Sequence, residues 1–207
     1  SLRLDTVAEF HIYLQHQPDR APLLYRERNL PFKKSDLERL SDRNIEVVLI
    51  DSGQEMAYVR YVEHNLGAIL SDDTIPIDHK CEILYVSSRG LMKEVMSDPR
   101  AGDAMSRSKN LVENTYAFLH TERSAFANLL KVTSFDYYTY THSVNVFVFS
   151  IALAQKCTEA RPEVLKAFGM GALLHDVGKS ALDPSIINAT GKLTEAQWHQ
   201  MQRHPQL

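Results

Sequence analysis

The hydrophobic pattern of this chain changes its period near Pro76, and this change limits the fold more than any other feature. Before Pro76, short apolar runs at residues 9–14 and 21–26 are bounded by turn residues and predict strands. After Pro76, apolar residues recur every three or four positions, which predicts helices. The expected fold class is therefore α+β, with a small N-terminal mixed α/β domain followed by an all-helical bundle.

The N-terminal domain is predicted to cover residues 1–78. Ser35, with Glu38 three positions later, predicts a capping box at the start of a short helix. Residues 46–51 predict a further strand. Residues 56–66 fit either a strand or a helix, and we favour a helix.

The rest of the chain is predicted to contain connecting helices at 79–131 and a further helical domain at 132–207. The predicted helices cover residues 79–97, 103–131, 135–156, 162–174 and 194–204. The first of them is expected to end near Asp98, because a residue that precedes proline is disfavoured in the α region. Since the first two helices are long and lie between the two domains, they also predict a homodimer joined as a coiled coil.

The composition is that of an ordinary globular protein, with 44% hydrophobic and 24% charged residues among 207. The net charge of −3 gives no reason to expect a nucleic-acid polymer as partner. No apolar run approaches the about 20 residues of a membrane span, and the first residues do not resemble a secretory signal. We therefore expect a cytoplasmic protein that does not contact a membrane, with Cys81 and Cys157 as free thiols.

The pair His175-Asp176 carries the strongest chemical signal in the sequence. An imidazole beside a carboxylate offers two unlike ligands to one metal ion, and a carboxylate can also bridge two ions with its two oxygens. His142 upstream and His204 downstream add two further imidazoles. Taken alone, the pair also fits a helix end with solvated polar residues, so both interpretations stay open at this point.

The helical period predicts that His142 points into the core. His142 shares a face with Val146 and Phe149 in the third predicted helix. In the fourth, the face that His175 continues carries Leu165, Phe168 and Ala172. A hydrogen-bonded core histidine is therefore the plainer alternative to a metal ligand at position 142.

Asp176 is expected at the end of a buried helix, where a carboxylate without a partner is costly and a metal ion offers one. Lys179 follows three residues later, after Gly178, which permits a tight turn of the backbone. A lysine at this position could reach a phosphate bound at the metal, or it could simply face water.

Three stretches of the sequence resemble the HD-GYP subfamily of the HD phosphohydrolase superfamily. They read DYYTYTHSVNV at residues 136–146, LLHDVGK at 173–179 and IINATGKLT at 186–194. His204-Pro205 follows, and the stretches come in the order and at the spacing of the family. The resemblance covers about residues 133–207.

This resemblance implies a helical HD-type domain that holds two divalent metal ions, iron or manganese, and hydrolyses cyclic di-GMP to linear pGpG or onward to GMP. By position it implies that His142, His175, Asp176 and His204 are metal ligands. Asp176 would bridge the two ions and is implied to be catalytic. Lys179 would contact the substrate phosphate and is implied to be catalytic as well.

The sequence departs from the family pattern at several places. Tyr138 stands where some members carry a glutamate that supports a third metal, so we expect two ions at most. Residues 188–191 read Asn-Ala-Thr-Gly instead of Asn-Lys-Pro-Gly, and residues 183–184 read Asp-Pro instead of Pro-Asp. The chain ends before the paired histidines, the last ligand aspartate and the Gly-Tyr-Pro segment. We therefore expect an incomplete HD-GYP-like domain, inactive alone, that binds fewer ions or none.

The leading interpretation is the N-terminal part of a cyclic di-GMP phosphodiesterase, with residues 1–78 as a regulatory domain or an interaction domain for a protein partner. One alternative is a non-catalytic HD-type signalling module that binds a protein partner or cyclic di-GMP. A second alternative is another nucleotide phosphohydrolase of the HD superfamily.

Overall fold

The computed structural model describes residues 6–15, 20–45, 47–133 and 138–207. The chain divides into two compact units, Ser1–Ile69 and Leu70–Leu207. The described residues of the first unit form four short strands and two helices, and the second helix ends at the boundary. They are β1 Val7–Ala8, β2 Ile12–Leu14, β3 Leu23–Arg26, β4 Leu30–Pro31, α1 Lys34–Asp42 and α2 Glu55–Leu70, with a 3₁₀ turn at Ser52–Gln54.

The strands pair as two separate antiparallel ribbons, β1 with β4 and β2 with β3. The strand predicted at 46–51 is wrong for the residues that the structure describes there, which exclude Glu46. Only Leu49 pairs, through two backbone hydrogen bonds of 2.9 Å to Tyr13. Val47 is 72% exposed, so this run lacks the buried face that would hold it in a longer ladder.

Helix α1 begins at Lys34, before the predicted cap at Ser35, and the predicted capping box is wrong. The carboxylate of Asp36 accepts a hydrogen bond of 2.8 Å from the backbone N–H of Lys33. The same carboxylate accepts one of 2.6 Å from Arg26. The side chain of Asp36 therefore caps the first turn of the helix, and the half-buried Arg26 holds its carboxylate in place. The helix favoured at 56–66 is confirmed as α2.

The second unit is helical in all of its described regular structure, so the expected α+β fold class is confirmed. Its helices are α3 Ile77–Ser97, α4 Ala104–Thr121, α5 Ala125–Val132, α6 Thr139–Cys157, α7 Pro162–Leu174, α8 Pro184–Ile187 and α9 Glu195–Met201, with 3₁₀ turns at Val177–Ala181 and His204–Gln206. Helix α3 ends before Asp98, as predicted. The predicted start of the third helix falls at residues 135–137, which lie outside the described residues.

The single helix predicted at 103–131 is instead two helices, α4 and α5. Glu122 leaves the helical conformation with φ −100° and ψ 100°. The hydroxyl of Thr121 donates to the carbonyl of Ala117 at 3.0 Å, a local bond of the kind that competes with helix continuation. The break lets Ala125 and Leu129 become fully buried, so packing outweighs the helical period of the sequence.

The core of the second unit forms around α6, which packs against both α3 and α7. Gly169 of α7 allows this approach, because a Cβ atom there would lie 2.4 Å from Cδ1 of Ile151 on α6. A buried hydrogen bond of 2.9 Å from the Tyr85 hydroxyl to Oδ1 of Asn145 joins α3 to α6. The most deeply buried apolar side chains of this unit include Cys81, Leu84, Leu91, Met92, Leu129, Val144, Phe147, Val148, Ile151 and Leu173.

Both cysteines are free, as predicted, with Cys81 buried and Cys157 exposed. Across the described parts of the chain, each helix is too short or too polar to cross a membrane.

Candidate metal centre

Helices α6 and α7 bring two of the predicted ligands together. His142 lies in the first turn of α6, and its backbone N–H donates to the carbonyl of Tyr138 at 3.1 Å. His175 follows directly after the last residue of α7, and Asp176 precedes the 3₁₀ turn Val177–Ala181. The close packing of the two helices places the rings of His142 and His175 with their centroids 5.3 Å apart.

His142 does not point into the core, so the orientation predicted from the helical period is wrong. Its side chain is 56% exposed. The buried face of α6 instead includes Thr141, Val144, Val148, Ile151 and Ala152. Apolar residues run around most of this helix, and its outward face carries Leu153, so the period alone could not select the buried side.

The face predicted for α7 is correct at Leu165 and wrong at Phe168. Phe168 is 50% exposed, and the helix buries Leu165, Gly169 and Leu173. His175 therefore does not continue the core face, and its side chain stays 35% exposed at the edge of the core. An exposed edge is a better place for a ligand than the core, because an ion and a substrate can reach it.

Asp176 is the centre of the cluster and is 3% exposed. Its Oδ2 atom lies 3.3 Å from Nε2 of His175 and 3.9 Å from Nε2 of His142. Its Oδ1 atom lies 3.3 Å from Nε2 of His204. The structure thus brings the three predicted histidine ligands together around the buried carboxylate of the fourth predicted ligand, Asp176.

Two of the histidines have their ring nitrogens assigned by hydrogen bonds to the backbone. Nδ1–H of His175 donates to the carbonyl of Ala172 at 2.8 Å, and Nδ1–H of His204 donates to the carbonyl of Met201 at 2.7 Å. In a neutral imidazole the other nitrogen, Nε2, then carries a lone pair and no proton. A backbone carbonyl on one nitrogen is the usual support for a histidine that binds metal through the other.

These bonds leave electron pairs facing each other. Nε2 of His175 and Nε2 of His204 each lie 3.3 Å from an oxygen of Asp176, and two acceptors at this distance repel unless a cation or a proton lies between them. A metal ion between these atoms would accept a lone pair from each of them, so the donor set fits a metal.

The histidines of the cluster face different oxygens of the Asp176 carboxylate. The ligand atoms of His142, His175 and Asp176 all lie within 4.8 Å of one another, which fits one ion. His204 lies outside that group and faces the other carboxylate oxygen. The geometry is therefore compatible with a carboxylate that contacts one ion through each oxygen.

His204 reaches Asp176 because of a close backbone contact at Gly178. A Cβ atom at Gly178 would lie 1.9 Å from the carbonyl oxygen of His204, so a side chain cannot fit. The backbone of Gly178 does not adopt a positive φ, so the turn predicted from its flexibility is not the reason for this glycine. The last helix, α9, ends at Met201 rather than at His204 as predicted, and the 3₁₀ turn that follows lays His204 over Gly178.

Lys179 connects the cluster to a pocket. Its Nζ atom donates to Oδ2 of Asp176 at 2.7 Å. Its side chain also lines an open pocket with a volume of about 250 Å³, together with Tyr138, Tyr140 and Asn188. The spacing of the two tyrosines and Asn188 in the sequence does not mark them as neighbours of Lys179, so their place in this pocket could not be predicted.

No protein-family model matches the chain. The chain is 28% identical over 186 residues to the cyclic di-GMP phosphodiesterase PA4108 of Pseudomonas aeruginosa. The match covers 84% of this chain and 45% of the relative, so the chain spans less than half the length of that relative.

The fold is similar to the solved structure of Bd1817, an HDG"Y"P protein from Bdellovibrio bacteriovorus, with a TM-score of 0.61 and 25% sequence identity. The match covers 99% of this chain and 66% of that one. Together the two comparisons confirm the resemblance that was read from the three sequence stretches.

Proposed function

We propose that this chain, which resembles the HD-GYP subfamily in sequence and in fold, is part of a metal-dependent phosphodiesterase that hydrolyses cyclic di-GMP to linear pGpG or to GMP. The observation that carries the proposal is the convergence of three histidine Nε2 atoms on both oxygens of the buried Asp176. The similarity to a cyclic di-GMP phosphodiesterase supports the choice of substrate.

His142, His175 and Oδ2 of Asp176 would hold one divalent ion, and Oδ1 of Asp176 and His204 would contribute to the site of a second. Mixed imidazole and carboxylate donors suit iron or manganese. When bound, such ions supply positive charge for the phosphodiester and lower the pKa of a water molecule.

The residues of the chain would position the substrate. The Lys179 ammonium, which lies between Asp176 and the pocket, would contact a phosphate oxygen as a compact charge. Asp176 is buried and would keep the imidazoles facing a common point, because each of its oxygens faces at least one histidine. Fixed positions of this kind lower the barrier by orienting the reacting groups before reaction.

The experiment is cyclic di-GMP turnover by the natural protein that contains these 207 residues, run without oxygen in ferrous iron or manganese, with products separated by chromatography. His175→Ala is expected to lower turnover more than about 100-fold, since even the loss of a residue that supports a ligand costs about 10- to 100-fold. His199→Ala is the matched control, because His199 is exposed and lies outside the cluster. Equal turnover by His175→Ala and the unaltered protein would refute the proposal.

The same assay, run on the 207-residue chain beside the natural protein, measures whether these residues hydrolyse cyclic di-GMP by themselves. Binding of cyclic di-GMP without turnover by the natural protein, with metal bound, would favour a non-catalytic signalling module, which the substitutions Ala189 and Thr190 also favour. Turnover of another nucleotide in place of cyclic di-GMP would favour a different HD-superfamily phosphohydrolase.

We further propose a cytoplasmic location, a protein partner for the N-terminal domain and a homodimer through the helices at 79–131. Sedimentation that gives a monomer at high protein concentration would remove the dimer.

A further inference from the structure

Two tyrosines form a fixed aromatic wall beside the metal-binding cluster. The rings of Tyr138 and Tyr140 are stacked, with centroids 5.1 Å apart and an interplanar angle of 15°. The guanidinium of Arg89 lies 5.8 Å from the ring centroid of Tyr140 and 5.9 Å from that of Tyr85. Cation–π contacts of this kind hold Tyr140 against α3 and, through the stacking, orient Tyr138.

The start of α6 ties this wall to a candidate metal ligand. Tyr138 is the residue directly before α6, and its carbonyl accepts the backbone N–H of His142 at 3.1 Å. Its side chain is nevertheless 60% exposed. The wall is therefore set by the same helical turn that places His142, and its outermost ring is accessible to a ligand.

The pocket beside the wall combines an aromatic surface with polar groups. Tyr138 and Tyr140 line it together with the amide of Asn188, the hydroxyl of Ser180 and the ammonium of Lys179. An aromatic face that stacks, an amide that both donates and accepts, and a nearby cation are the groups that recognise a nucleobase attached to a phosphate. An apolar ligand would leave the polar groups of this pocket unpaired, and a phosphate alone would not use the aromatic wall.

We propose that Tyr138 and Tyr140 form the stacking wall of a nucleobase subsite, in which one base of the substrate lies against Tyr138 while its phosphate meets Lys179. The identity of that base as guanine rests on the proposed function. The subsite itself rests only on the stacked rings, the pocket and the polar groups that line it. Tyr138 and Tyr140 would thus determine where the phosphodiester lies relative to Asp176.

The test measures binding of three probes to the 207-residue chain by calorimetry: GMP, ribose 5-phosphate and inorganic phosphate. Tyr138→Leu keeps apolar bulk and removes the aromatic face, so it is expected to weaken GMP binding about tenfold or more, as expected for the loss of one base–aromatic stack. Affinities for ribose 5-phosphate and phosphate should not change. Tyr138→Phe keeps the aromatic ring and should therefore bind GMP as tightly as the unaltered chain does.

Trp198→Leu is the control, because Trp198 is an exposed aromatic residue that does not line the pocket. Thermal melting of each variant separates a loss of fold from a loss of stacking, and Tyr140→Phe provides a second variant within the wall that should also keep GMP affinity. Failure of the unaltered chain to prefer GMP over ribose 5-phosphate would overturn the subsite. Equal GMP affinity in Tyr138→Leu would overturn it as well.

This outcome is distinct from failure of the proposed function. If GMP binding depends on the ring of Tyr138 but cyclic di-GMP is not hydrolysed, the subsite is supported and the proposed reaction is refuted. If the Tyr138→Leu variant hydrolyses cyclic di-GMP with the same KM as the unaltered protein, the reaction is supported and the subsite is refuted.

Discussion

At the scale of single residues, the cluster depends on two unlike features of the sequence. The ligand identities could be predicted, because His142, His175, Asp176 and His204 stand in a recognisable order. The orientation of their rings could not be predicted, because the carbonyls that accept Nδ1–H belong to Ala172 and Met201. Every residue has a backbone carbonyl, so the residue type does not indicate which one accepts the bond. Tertiary contacts, not local spacing, determine which nitrogen of each ring faces Asp176.

Gly178 provides the sharpest test at this scale. Gly178→Ala would force the carbonyl of His204 away from its present position, since the new Cβ would lie 1.9 Å from it. We expect a loss of about 1–3 kcal/mol in the free energy of unfolding and a fall of about tenfold in manganese affinity. Chemical denaturation and calorimetry measure the two effects.

Gly171→Ala is the matched control, because nothing lies within 4 Å of a Cβ atom at Gly171 in α7. It should raise stability by up to about 1 kcal/mol through helix propensity and leave metal affinity unchanged. If both alanine variants bind manganese equally well, the contact of Gly178 with His204 does not position the ligand.

The two thiols should differ in reactivity. Burial raises the pKa of the Cys81 thiol to about 11, and the carboxylates of Asp78 and Glu122 add to this shift. The thiolate is the reactive form, so Cys81 should stay unmodified in the native chain at neutral pH while exposed Cys157 reacts. Mass spectrometry after iodoacetamide treatment should find one modified cysteine per chain, and both should react after unfolding in denaturant. Native modification at Cys81 would contradict its burial.

At the scale of elements, the helices were more predictable than their faces. The boundaries of α3 and α7 followed from the apolar period, from Asp98-Pro99 and from Pro162 at the first turn. The break between α4 and α5 was not visible in the sequence, because it arises from the burial of Ala125 and Leu129. Packing decided the outcome wherever two faces of a helix were both apolar.

The α6–α7 contact gives a prediction for a pair of residues. Gly169→Ala would place a methyl group 2.4 Å from Cδ1 of Ile151, and overpacking of this kind costs about 1–3 kcal/mol. Ile151→Val removes that Cδ1 atom and by itself costs about 1 kcal/mol. The double variant should lose less free energy of unfolding than the sum of the losses in the two single variants. A double-mutant cycle based on urea denaturation measures this difference. Strictly additive effects would show that the contact is not the source of the strain.

At the scale of the whole molecule, the chain divides into a strand-containing unit and a helical unit, and every described residue of the candidate site lies in the helical one. The period of the sequence changes near Pro76, whereas the two units divide between Ile69 and Leu70. The site itself joins residues from α6, from the end of α7 and from the final 3₁₀ turn. Their meeting point depends on chain packing over long sequence distances, which local patterns do not encode.

The most direct test of the central claim is to measure manganese binding to the purified 207-residue chain. Binding is monitored as a decrease in the electron paramagnetic resonance signal of free Mn²⁺. The account predicts that at least one ion binds, that Asp176→Asn abolishes this binding while keeping the size of the buried side chain, and that His199→Ala binds as the unaltered chain does. Equal binding by Asp176→Asn, or no binding by the unaltered chain, would contradict a metal centre at His142, His175 and Asp176.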